Sequence, residues 1–436
     1  MRFKKISITN MRLVGESPIG INFAADKNVA ILLGNNGYGK TTVLDALATA
    51  IAPFTAQFPG GQDFHLSDWD VHISSNGHKS NYLTISSEIE DNGLSISSVR
   101  YRKGTHTPPK ANYELLKQNA QAKKEAIING DNSVKLPIFA YYGTGRGQFK
   151  VPERKRGFQS TYERWDCYKS ALTPETDFKR FFGWYDLMED EERRTREKLR
   201  DFSYQSPILE AVRRALNRFV RGYENPRIET RPLRFVMDKV DDNGSRQELR
   251  IEQLSDGYKI VIAMVADLAA RMAEANPEMP DPLEGEGIVL IDEVDLHLHP
   301  QWQREIVCQL HNVFKNIQFI VSTHSPIIVM GAANIAQIAN LNSTEEDDNA
   351  DISKSNIGAI LLGNLFGLHS LQSPEWDDKI EERDKLLSKS SLNNQDKSRL
   401  AVLDKEMEGL TSIQTSDAIR ANMILEKLAQ KLNIQL

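Results

Sequence analysis

Cysteine is nearly absent from this sequence: there are two among 436 residues, Cys167 and Cys308, and they form no CxxC pair. No disulfide framework follows from them, and a reducing compartment suits such a chain. Long apolar runs are missing too. The most apolar stretch, 260–270, is interrupted by Asp267 and followed by Arg271, well short of the roughly 20 residues that cross a bilayer. The opening residues lack the apolar core of a signal peptide, so the expectation is a cytoplasmic protein with no membrane partner. Positive charge is not in excess: 54 Lys and Arg against 60 Asp and Glu leave a net charge of -6. Bulk nucleic-acid binding needs cations to displace counterions, so this balance speaks against it while leaving room for a local basic patch. With 40% hydrophobic and 26% charged residues, the chain can bury a core of more than one substructure.

What is present alternates between two periods. Residues 1–10 alternate polar and apolar like an exposed edge strand, whereas Val29-Ala-Ile-Leu-Leu33 and Gly287-Ile-Val-Leu-Ile291 are continuous apolar runs of the kind found in buried parallel strands. Residues 317–321 and 136–142 read the same way. Residues 41–51 space Val43, Leu44, Leu47 and Ile51 as a helix, and 251–275 continue from a Ser-Asp-Gly turn as another. Strands alternating with helices imply an α/β fold with a doubly wound sheet. The expected division is a head built from 1–52, 136–150 and 235–340, an insertion over 53–135, a basic helical lobe over 151–234, and a helical C-terminal region over 341–436. No internal repeat is evident.

The chemistry concentrates at strand ends. Gly34-Asn-Asn-Gly-Tyr-Gly-Lys-Thr-Thr42 fits G-x-x-x-x-G-K-[ST] between a buried strand and a helix start. In such a loop the backbone N–H groups of Asn35, Asn36, Gly37, Tyr38 and Gly39, with Lys40, Thr41 and Thr42, surround phosphate oxygens; Lys40 reaches the β- and γ-phosphates and the Thr41 hydroxyl meets magnesium. Downstream, a buried strand delivers Asp292 and Glu293 to its carboxyl end. Asp292 suits the magnesium shell, and Glu293 suits the base that orients and deprotonates an attacking water. Leu254-Ser-Asp-Gly-Tyr258 places Ser255, Asp256 and Gly257 at a helix N-terminus, either an ordinary cap or a second phosphate-binding end.

With Ser322-Thr-His-Ser-Pro326 following these segments in order, the chain resembles an ATP-binding-cassette ATPase head. That resemblance implies ATP and Mg2+ as cofactors and His324 as the switch histidine at the γ-phosphate. It also implies a head-to-tail homodimer or larger homo-oligomer in which Ser255, Asp256 and Gly257 act in trans. Asn10-Met-Arg12, the long interruption before Leu254 and Asp295-Leu-His-Leu-His-Pro300 resemble the RecF, Rad50 and structural-maintenance-of-chromosomes branch, which sets Arg12 among the nucleotide-binding residues. Within that branch, Phe139-Ala-Tyr-Tyr-Gly-Thr-Gly-Arg146 and Phe181-Phe-Gly-Trp-Tyr185 look like the stand-alone ATPases of anti-phage operons, the Septu PtuA and retron-associated ATPases. The implied function is an ATP-hydrolysing sensor that regulates a separate effector, a nuclease; the alternative is a RecF-like repair ATPase that binds DNA directly. The pattern departs from the family at Asp256, where transporters usually carry Gly, and in the lid glutamine, for which Gln148 is the candidate.

Other features have plainer readings. His297 and His299 beside carboxylates suggest a metal, yet they match the dimer-facing loop. Arg193, Arg194, Arg196, Lys198 and Arg200 offer a nucleic-acid surface, but Glu189, Asp190, Glu191 and Glu192 precede them as on a solvated helix with i,i+4 pairs. Phe181, Phe182, Trp184 and Tyr185 read as core rather than as base-stacking platforms. No nuclease signature accompanies the ATPase motifs.

Overall fold

Phe3, Ile6 and Ile8 alternate with polar neighbours and are fully buried in β1 (Arg2–Thr9). In this computed structural model β1 is no edge: it lies between β2 (Ile19–Asn22) and β4 (Tyr82–Asp91), with β5 (Leu94–Lys103) beyond, in a four-stranded antiparallel sheet. The alternation marks one wet face, and neighbouring strands on both sides are compatible with it. The hairpin β4–β5 turns at Asn92 and Gly93, both at positive φ as a tight turn requires. Residues 82–103, expected within an insertion, thus complete the sheet that carries the N-terminus, and α2 (Glu114–Ile128) packs on them.

The described residues run from 1 to 341 apart from 36, 104–110, 148–151, 153–157, 160, 175–177, 221 and 242; further on they are 352, 355, 357–363, 365–368, 371–389 and 393–407. They fall into two units, Met1–Asn349 and Ala350–Leu436. The first is built on a five-stranded parallel sheet. Its strands are β3 (Val29–Leu33), β6 (Ile138–Tyr142), β10 (Gly287–Ile291), β11 (Ile317–Ser322) and β12 (Ala336–Asn340), in the order β12-β3-β11-β10-β6. Every residue of β3, β6, β10 and β11 is buried, which explains their uninterrupted apolar sequences. Gln318 joins the two sheets: its side chain accepts from the Phe3 N–H at 2.7 Å and donates to the Phe3 carbonyl at 3.1 Å.

Helix α1 (Lys40–Thr55) follows β3 and packs on β10 and β11. The lobe contains α3 (Phe178–Leu199) and α4 (Pro207–Phe219), but it is not all helical. Strands β7 (Tyr223–Thr230), β8 (Leu233–Val240) and β9 (Arg246–Arg250) form an antiparallel sheet that sequence pattern did not signal. Phe235 of β8 meets Phe178, Phe181 and Tyr185 of α3 at ring distances of 5.8–6.3 Å, so those aromatics, with Phe182 and Trp184, are core. Then come α5 (Asp256–Ala275), α6 (Pro300–Val313) and α7 (Pro326–Ala332).

In the second unit, α8 (Ile357–Leu362), α9 (Pro374–Leu387) and α10 (Asn394–Glu406) are helical as expected, and Ile380, Leu386, Leu403 and Met407 cluster against Trp376 and Leu400. Residues 342–351 and 408–436 lie outside the described residues. Among the described residues no helix is long and apolar enough to cross a membrane.

Candidate functional site

The phosphate loop joins the end of β3 to the first turn of α1. Gly37 and Gly39 sit at φ 87° and 86°, a backbone region open to glycine and strained for other residues. Lys40 folds back over the loop and donates to the carbonyls of Gly34 at 2.7 Å and Asn35 at 3.3 Å. Burial pushes its ammonium below the ordinary lysine value, and Asp292, Glu293 and Asp295 pull it back up. Asn35, Gly37, Tyr38 and Thr41 face solvent, while Lys40 and Thr42 are buried. Asn36 lies outside the described residues, as does Gln148.

The parallel register brings the acidic turn after β10 to the same end of the sheet. The Thr41 hydroxyl donates to Asp292 Oδ2 at 2.8 Å, and the Ser322 hydroxyl, at the end of β11, donates to Asp292 Oδ1. Ser322 Oγ also accepts from the Glu293 N–H at 2.8 Å, and the Asp292 N–H donates to the Tyr142 carbonyl at 2.8 Å. Glu293 itself is half-buried and sits at φ 46°. The turn is also held by Arg146, a buried residue whose guanidinium donates to the carbonyls of Gly143, Asp292 and Glu293. Burial lowers that guanidinium to about 10.

His324 lies two residues beyond β11 with its side chain largely exposed; the partial burial of its ring lowers its pKa, with the charge of Lys40 the next cause. Around it, the Thr323 hydroxyl donates to Asp295, the Ser325 hydroxyl donates to Gln303 Oε1 at 2.7 Å, and Gln303 Nε2 donates to the Leu298 carbonyl at 3.0 Å. Gln303 therefore ties the histidine-bearing turn to the 295–299 loop. His299 caps α6, its Nδ1 accepting from the Gln301 N–H at 3.3 Å. Among the described residues no group of three or more His, Cys, Asp or Glu side chains could hold a metal ion.

The Ser255 end is held by the same loop. Ser255 is the N-cap of α5, is exposed, and makes no side-chain capping bond. A Cβ on Gly257 would lie 2.8 Å from the His297 carbonyl oxygen, so glycine permits this close approach. Tyr258 packs edge-on against Trp302 at 4.9 Å. Arg12, expected among the nucleotide-binding residues, lies next to the phosphate loop and is engaged by two carboxylates. Val14 of its turn lies beside Gly39, and the Arg12 guanidinium is taken by Asp45 and Asp70.

Lys40, Thr41, Asp292, Glu293 and His324 are thus brought together. Arg146, Ser322 and Gln303 are the residues that sequence reasoning passed over in this role. Ser322, a hydroxyl at the end of a largely apolar strand, carried the one local signal.

Known proteins resemble this chain over much of its length. Residues 29–330 match the family described as "AAA domain, putative AbiEii toxin, Type IV TA system". The retron Ec83 probable ATPase of Escherichia coli is 29% identical over 385 residues, covering 75% of this chain and 69% of that protein. The retron Vc95 probable ATPase of Vibrio cholerae serotype O1 biovar El Tor is 30% identical over 352 residues, covering 70% and 67%. The Septu protein PtuA of Bacillus mycoides is 33% identical over 173 residues, 38% of this chain and 24% of that protein. Among solved structures, an SMC head bound to the C-winged helix domain of ScpA overlays with a TM-score of 0.46 at 15% identity, covering 78% of this chain and 94% of that one. With its central 29–330 matched throughout, the chain belongs to this AAA-domain family, and it is an ATPase.

Proposed function

We propose that this chain hydrolyses Mg-ATP in composite sites shared by two heads facing head-to-tail, and that its nucleotide state regulates a separate effector, a nuclease, in anti-phage defence. The observation that carries the reading is the convergence of Thr41, Asp292 and Glu293 at the carboxyl ends of β3 and β10. The Thr41 hydroxyl and the Asp292 carboxylate are hard oxygen donors side by side, the donor chemistry that magnesium takes. They would hold the ion, which supplies charge neutralisation on phosphate oxygens. Lys40 would exchange the Gly34 and Asn35 carbonyls for β- and γ-phosphate oxygens, and Glu293 would orient and deprotonate the attacking water. His324 would contact the γ-phosphate from the end of β11.

Ser255 and the free N–H groups of the first turn of α5 suit a γ-phosphate presented by a second protomer. The relatives named as retron and Septu proteins support the defence setting. A direct DNA-binding role is less well supported, because Arg193 and Arg194 pair with Asp190 and Arg196 pairs with Glu192.

Complementation tests the shared site. Lys40→Ala and Ser255→Arg proteins are each expected to be inactive alone. In mixed dimers both lesions fall in one composite site and the other is wild type, so phosphate release should return in part. No recovery despite demonstrated subunit exchange would refute independent shared sites.

A further inference from the structure

Glu293 stands on backbone that a glutamate rarely adopts, at φ 46°. The carbonyls of Asp292 and Glu293, one on each side of the Glu293 Cα, come within reach of a single donor group. Arg146 is that group: Nη1 donates to the Asp292 carbonyl and Nη2 to the Glu293 carbonyl. Arg146 thus helps hold both peptide planes flanking Glu293, beside the Leu296 N–H, which donates to the Glu293 carbonyl at 2.9 Å, and Ser322 Oγ, which accepts from the Glu293 N–H.

We propose that Arg146 is a positioning residue for hydrolysis, setting the direction in which the Glu293 carboxylate projects. The proposal rests on Glu293 being the base, as set out above. Arg146 is itself placed by the turn after β6, where Nη1 donates to the Gly143 carbonyl at 3.0 Å and the Gly143 N–H donates to the Pro174 carbonyl at 2.7 Å. The planar fork matters as well as the charge. Two nitrogens of a guanidinium meet two carbonyls in fixed directions, which the single nitrogen of an ammonium does not reproduce, so lysine is no substitute here. Only 3% of Arg146 is exposed, so water does not readily replace the lost donors.

The test uses the full chain and the variants Arg146→Lys, Arg146→Ala and Glu293→Gln, with the double variant Arg146→Lys/Glu293→Gln. Melting temperature and ATP binding are measured beside steady-state and single-turnover phosphate release. A base displaced by about 1 Å loses on the order of 10²-fold in rate, so Arg146→Lys should lose kcat on that scale while KM for ATP changes little. Because Arg146 acts through Glu293, the double variant should be no slower than Glu293→Gln alone.

A wild-type kcat in Arg146→Lys, an additive double variant, or a loss confined to ATP binding would overturn the proposal. So would loss of the fold in both Arg146 variants, which would make the residue structural. The two readings fail separately. Normal turnover in Glu293→Gln removes the base and the proposal with it, whereas an inactive Glu293→Gln beside a fully active Arg146→Lys removes the proposal alone.

Discussion

Gly257→Ala is a small change at a place where geometry leaves little room. The added Cβ would stand 2.8 Å from the His297 carbonyl oxygen and 3.7 Å from Leu298 Cδ2. An acceptable carbon–oxygen contact is about 3.3 Å, so roughly 0.5 Å must be found by moving backbone. Two energies compete. Alanine gains up to about 1 kcal/mol of helix propensity over glycine, while overpacking costs about 1–3 kcal/mol. The expected net loss is therefore about 0–2 kcal/mol, which lowers the melting temperature of a unit this size by a few degrees at most and leaves it folded.

Function should suffer more than stability. The half-ångström must come either from the N-terminus of α5, which presents Ser255, or from the 295–299 loop that follows the Glu293 turn. A displacement of 1 Å costs about 10²-fold in rate, so half of it should cost about 10-fold. Phosphate release at saturating ATP, measured beside a melting curve, separates the two effects. A wild-type rate would refute the claim that this contact sets the Ser255 end, and a raised melting temperature would show that the His297 loop yields without cost.

Two further outcomes concern buried charges. Arg271 is 2% exposed, donates to Asp267 at 2.8 Å and caps the carbonyls of Cys167 and Lys169; Arg271→Met leaves that carboxylate buried with less compensation and should cost about 3–5 kcal/mol. A drop in urea-unfolding stability below about 1 kcal/mol would refute it. Burial raises Glu189 to about 7 from an ordinary 4.5, so the fold favours its protonated form. The stability this group contributes is complete below the unfolded value and is lost as pH rises through about 7. Glu189→Gln should therefore match the wild type near pH 5 and exceed it near pH 8, by at most about 3 kcal/mol; equal melting temperatures at the higher pH would count against this.

The readable parts of this sequence are those whose requirements are local. A parallel strand buried on both faces must be apolar at every position, and Val29–Leu33 and Gly287–Ile291 are. The phosphate loop needs its glycines, Lys40 and Thr41 within a few consecutive residues, so it announces itself. By contrast, β7 (Tyr223–Thr230) reads Tyr-Glu-Asn-Pro-Arg-Ile-Glu-Thr, with an irregular register between Glu224 and Arg227. Its pairing partner and Phe235 of the next strand supply what its own sequence lacks. The lobe helix shows a subtler limit. Asp190 pairs with Arg194 as the i,i+4 pattern implies, but Glu189 and Glu192 turn inward toward Arg213 of α4, a contact that charge spacing along α3 does not encode. Ser322 left only a hydroxyl at a strand end, while Arg146 and Gln303 left no local sign, because each takes its role from partners that the fold brings to it.

One strand end connects the two halves of the proposed composite site. The Tyr142 carbonyl accepts from the Asp292 N–H, and its phenol donates at 2.9 Å to Asp267 of α5. Asp267 is also bound by Arg271 on the next turn, with Arg180 of α3 at 3.8 Å. From there α5 runs about 16 Å back to its N-terminus, a distance fixed by the helical rise, and ends at Ser255. Within one protomer, then, the turn that carries Glu293 and the end offered to a second protomer's nucleotide are anchored to the same residue. In a head-to-tail dimer each such connection joins a protomer's own ATP to its partner's. The two sites would then be linked through Tyr142 and α5 as well as across the interface, and a change in the lobe at Arg180 bears on both.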